Sequence, residues 1–133
     1  MAKMPKMVMD LFNDPHSYKA LATSTRDGVP NVSPKHSIVA LDEETLAFAD
    51  IFGSKTNRNL EENMRVAAVA WKMPPVGYQV KGLFEGFKTS GPAFENLSKR
   101  IKEAINLDIN AVGFIRVEEV YSVAPPDAGK KID

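Results

Sequence analysis

Gly53-Ser54-Lys55-Thr56 sets a lysine and two hydroxyls where an apolar strand gives way to a polar, helix-like segment. A helix start leaves its first backbone N–H groups without internal partners, so a cation and hydroxyls beside it favour an anion. The spacing is not that of a P-loop, which needs glycine, four residues and then Gly-Lys-Ser/Thr. Here Ser54 separates Gly53 from Lys55, and the first glycine is missing as well. Two readings fit the local sequence: an anion grip, or an ordinary surface helix capped by Ser54 or Thr56 with a solvated Lys55.

Other residues offer less chemistry. His36 lies in Ser33-Pro34-Lys35-His36-Ser37 with no carboxylate at motif spacing, so it reads as a structural or surface residue before a base. His16 falls in a helix-ending loop, and two histidines without a partner motif make no metal site. The chain has no cysteine, which excludes disulfides, thiol catalysis and thiolate-bound metals. Asp42-Glu43-Glu44 reads as a solvated turn. Trp71, ending an apolar strand, is expected to pack in the core or at a barrel rim. Lys81 alternates with core residues and should face outward, and Arg58 and Arg65 read as surface. No Ser-His-Asp spacing, G-x-S-x-G or G-x-G-x-x-G occurs.

The elements that must position these residues follow from periodicity. Met4, Met7, Val8 and Leu11 recur at helical spacing, predicting a short helix over 4–13. Strands are expected at 18–25, 31–41 and 45–50, with Asp27-Gly28 as a turn. Alternation slips at Pro34, because Val32, His36 and Ile38 cannot all point inward; a proline there predicts a bulge or an edge. A polar helix over 54–63 follows, then strands at 65–71 and 78–86. Phe94, Leu97, Ile101, Ala104 and Ile105 form one stripe of a helix opened by Pro92. A last strand at 112–123 precedes a polar tail. The order β-β-β-α-β-β-α-β has too few helices for a doubly wound sheet. It fits a mainly β (α+β) fold, an antiparallel sheet curled into a small barrel with a few capping helices.

At 133 residues the chain reads as one domain over 1–133, with 17 basic and 17 acidic residues in balance. Neutrality argues against nucleic acid and against an anionic membrane surface as partners. Lys3, Lys6 and Asp10 interrupt any signal-like apolar run, and no stretch is long and apolar enough to span a bilayer, so a cytoplasmic location is expected.

The succession "GVPNVSPKHSIVALDEETLAFAD", "GSKTNRNLEENMRVAAVAW", "YQVKGLFE", "TSGPAFENL" and "VEEVYSVAPPDAGKKI" resembles the pyridoxamine 5'-phosphate oxidase-like, FMN-binding split-barrel family, in its smaller branch. The resemblance implies a homodimer with FMN in a groove at the subunit interface. It implies that Ser33, Pro34, Lys35, His36 and Ser37 pass along the flavin ring and ribityl chain. Ala49, Asp50 and Ile51 would line the ring. Ser54, Lys55 and Thr56 would take the phosphate, with Asn59 one turn on as helper. The short C-terminal region departs from the larger enzymes, which argues against oxidation of pyridoxamine phosphate itself. The implied activity is that of a small flavin oxidoreductase exchanging electrons with NAD(P)H or another carrier. A flavin carrier or electron-transfer protein, or a binder of haem or deazaflavin on the same fold, are the alternatives.

Overall fold

The computed structural model describes residues 2–133. These form α1 (Lys6–Asn13), β1 (Tyr18–Ser24), β2 (Pro30–Pro34), β3 (Val39–Asp42), β4 (Thr45–Asp50), α2 (Lys55–Glu62), β5 (Arg65–Lys72), β6 (Val76–Lys88), α3 (Pro92–Ile105) and β7 (Ala111–Ser122). All strand pairs are antiparallel, in one sheet of order β2-β1-β5-β6-β7-β4-β3.

That order forces the sheet to close. β2 and β3 are its two edges, yet only residues 35–38 join them. Seven strands laid flat would hold their edges about 29 Å apart. Five Cα steps from Pro34 to Val39 reach about 18 Å at most. The sheet therefore curls until the edges approach, leaving a seam across which β2 and β3 do not pair. The expected single strand over 31–41 is thus two strands, one on each side of the seam. Pro34 ends β2 because it has no N–H to continue the ladder. The chain then turns, with the Ile38 N–H donating to the Lys35 carbonyl at 3.1 Å.

Inward positions alternate along most of the strands, broken on β7 by a bulge, and Leu21, Ile38, Leu46, Phe48, Val80, Ile115 and Val117 fill the barrel with almost no exposure. α1 adds Val8, Leu11 and Phe12 to this core, and α2 adds Leu60. Met7 was expected on the buried stripe but is exposed. The helix begins only at Lys6, and Phe12 takes that place, while Met4 is buried from the extended segment before it. α3 lies on the outer face of β4 and β7, where Leu97 meets Ala47, Ala49 and Val112. The polar tail is folded back on the barrel. The Ile132 N–H donates to the Val120 carbonyl at 2.7 Å, and Ile132, its one large apolar side chain after Val123, packs on the core.

Candidate functional site

A cavity of about 670 Å³ opens on the seam, within the range of small-molecule sites. Ser33 and Pro34 of β2, Lys35, His36 and Ser37 of the link, Ala49 and Ile51 at the end of β4, and Ser54, Lys55 and Thr56 at the start of α2 all border it. Asp50 and Asn59 do not. Asp50 braces the wall instead: its Oδ1 accepts the Gly53 N–H at 3.0 Å and its carbonyl accepts the Asn110 N–H at 2.8 Å. Asn59 is buried and donates to Thr23 Oγ1 at 3.1 Å. Ser37 is anchored too, its hydroxyl oxygen accepting the Ala49 N–H at 2.9 Å.

The start of α2 has no side-chain cap. Ser54 or Thr56 was read as able to supply one, but the Ser54 backbone (φ −111°, ψ −79°) is outside the extended conformation from which a capping side chain reaches back. Thr56 is engaged elsewhere. Its Oγ1 accepts from Asn31 Nδ2 at 3.2 Å and lies 3.4 Å from Ser33 Oγ. The start of α2 therefore borders the cavity beside Lys55 with no side chain capping its first N–H groups, the Asp50 carboxylate reaching only the Gly53 N–H just before the helix.

Charge in the cavity is one-sided. Lys19, Lys35, Lys55 and Arg100 line it, and no aspartate or glutamate does, although the chain as a whole is neutral. Lys35 is half-buried with Nζ 5.4 Å from the centre of the Phe48 ring. Burial lowers its pKa, opposed by the field of Asp50. Lys19 is only 6% exposed, and its ammonium donates to the carbonyls of Phe12 at 2.8 Å and Ile38 at 3.0 Å. Burial first, and then the Arg100 guanidinium, push Lys19 down to about 8, with Asp14 acting the other way.

Sequence reasoning missed Lys19, Asn31 and Arg100. Lys19 had a signal: it occupies an inward position of β1, in phase with Leu21 and Thr23. Arg100 also had one, at three residues from Leu97 on the edge of the apolar stripe. Ala104 and Ile105 continue that stripe past the sheet, so they stay exposed and form an apolar rim of the cavity.

The arrangement can hold a molecule with an apolar body and an anionic end. It contains no paired acid and base, and no cluster of His, Asp and Glu suited to a metal ion occurs among the described residues. The cavity is apolar along Ala49, Ile51 and α3 and cationic at α2.

Comparison with known proteins agrees with this architecture. The chain is 34% identical over 117 residues to an uncharacterized protein, MJ0282, of Methanocaldococcus jannaschii, covering 84% of this chain and 77% of that one. Among solved structures, an FMN-binding protein from Syntrophomonas wolfei superposes with a TM-score of 0.81 at 16% identity, over 87% of this chain and 83% of the other. HupZ from Group A Streptococcus gives 0.79 at 24% identity, over 95% and 98%. Both structures speak for the fold alone. The family model described as pyridoxamine 5'-phosphate oxidase matches residues 6–124, nearly the whole barrel, and the chain belongs to that family.

Proposed function

We propose that this chain binds FMN in the seam cavity and works as a small flavin oxidoreductase, with the site completed by a second copy of the chain. The observation that carries the reading is the uncapped start of α2, opening beside Lys55 into a cavity with apolar walls. A phosphate close to dianionic suits that corner, where Ser54, Lys55 and the start of α2 border the cavity. Ser33 to Ser37 offer polar contacts along the seam, and Ala49 and Ile51 an apolar wall. FMN, when bound, supplies the electron and hydride exchange; the chain orients it, excludes water and sets its surroundings. His36 and Lys35 shape the pocket without a partner that would make either an acid or a base.

Dimerisation belongs to the same proposal. Tyr18 and Trp71 stack with ring centres 5.7 Å apart, and both are exposed, at 62% and 41%. Val32, beside the cavity, is 70% exposed. No helix covers the sheet face carrying them, and a second copy would bury it.

Purified protein is expected to be yellow or to take up added FMN, and NADH or NADPH is expected to bleach it without oxygen. A yellow protein inert to both supports a carrier. A protein that refuses FMN but takes up haem or a deazaflavin overturns the FMN reading.

A further inference from the structure

We infer that Lys19 of β1 is a nucleophilic amine facing the seam cavity, and that it captures a small aldehyde or ketone with an apolar body as an imine. The inference stands apart from the FMN reading, because it concerns a group that reading leaves unused.

The first observation is how the amine is held. Lys19 occupies an inward position of β1 and is 6% exposed, yet it lines the cavity. Its Nζ donates to the Phe12 carbonyl at 2.8 Å and to the Ile38 carbonyl at 3.0 Å, and both of those residues are wholly buried. An ammonium has three N–H groups, so these two bonds fix the nitrogen and leave one position open. A neutral amine keeps both donations, and its lone pair takes the open position. The cavity is the space that position has to face.

The second observation is that no acid is set to hold the charge. A lysine this deeply buried is ordinarily paired. Lys19 makes no ion pair among the described residues, and no aspartate or glutamate lines the cavity. Lys35 and His36 of the link border the same space and offer no negative charge. Burial, and then the field of Arg100, lower the Lys19 pKa to about 8, against Asp14, which raises it. Asp14 is itself bridged to Lys72 at 2.5 Å. A desolvated, partly neutral lysine is the form that condenses with carbonyl groups.

The step balances without an oxidant. The Nζ lone pair adds to the carbonyl carbon, and both amine hydrogens leave with the carbonyl oxygen as water. The imine then takes up a proton, and that one N–H stays with the Phe12 or the Ile38 carbonyl. Pro34, in register with Ala20 beside Lys19, and Pro15 give the lining apolar surface for the rest of the molecule.

Reductive labelling of the native protein tests this, with benzaldehyde as the probe, cyanoborohydride to fix the imine, and peptide mapping by mass spectrometry. At pH 7.5 Lys19 is expected to be labelled at least about ten-fold faster than Lys99, an exposed lysine of α3. Its rate is expected to level off above pH 8, while that of Lys99 keeps rising. Slower labelling of Lys19 once FMN is bound would uphold the same cavity-facing amine, and failure of FMN to bind leaves a positive result standing. Lys19 labelled no faster than Lys99, labelled only after urea unfolding, or passed over in favour of Lys35, overturns the inference.

Discussion

The amide of Asn31 donates to the hydroxyls of both Thr56 and Thr23, each at 3.2 Å. One side chain on edge strand β2 thereby fixes the first turn of α2 against β1, and Asn59 closes the same network from below. The position of the uncapped helix start depends on this small polar cluster.

Thr56→Val keeps the shape and deletes the acceptor. Leaving partly buried donors short of a partner is expected to cost about 1 kcal/mol, measured by urea denaturation, and to weaken FMN binding. Thr56→Ser is expected to recover most of both. An unchanged midpoint in the valine variant would mean that the network adds nothing.

Lys55→Ala is expected to weaken FMN about ten-fold or more in a fluorescence titration while leaving riboflavin, which has no phosphate, nearly unaffected. Equal loss for both ligands would take Lys55 out of the phosphate contact.

Lys19 makes stability depend on pH in a defined direction. Its folded pKa of about 8 lies below the 10.5 of the unfolded chain, so the unfolded state holds more protons between those values. Its contribution to stability therefore rises with pH through that window, as the buried charge is relieved. Denaturation of wild type and Lys19→Met from pH 7 to 10 is expected to show the difference moving in favour of wild type. A constant difference would place the Lys19 pKa near its ordinary value.

Gly113 faces Phe48 across β7 and β4, and a Cβ at residue 113 would lie 2.4 Å from the tip of that ring. Phe48 is wholly buried, with Phe84 and Phe87 around it, so it has little room to move. Gly113→Ala is expected to cost about 1–3 kcal/mol by chemical denaturation. A neutral result would show that the aromatic cluster repacks freely.

Trp71→Glu sets a charge in the exposed aromatic pair. It is expected to turn a dimer into a monomer in sedimentation, with FMN weakened in parallel. A monomeric wild-type protein that binds FMN normally would remove the second copy from the proposed site.

Much of the barrel was legible because β1, β5 and much of β6 alternate. Tyr78, Val80, Gly82 and Phe84 opposed Gln79, Lys81 and Glu85 in the sequence as they do on β6. The cavity's cationic side was harder to read. Lys19 stays buried because the carbonyls of Phe12 and Ile38, from the end of α1 and the link, converge on it, and no local pattern announces that meeting. The division of 31–41 was half legible. Pro34 marked a break, but which edge each half joined is set by β1 and β4. Ser54 offered a cap by residue type, but residue type alone does not reveal its backbone angles.

The seam has a consequence for handling the protein. β2 and β3 each turn a backbone edge toward it that no strand pairs, and such edges are where separate molecules zip together. Pro30 and Pro34 blunt one edge, and β3 is only four residues long, but neither is sealed. Anything lodged in the cavity covers both at once. Protein with the cavity empty is therefore expected to be the form more prone to aggregate on storage.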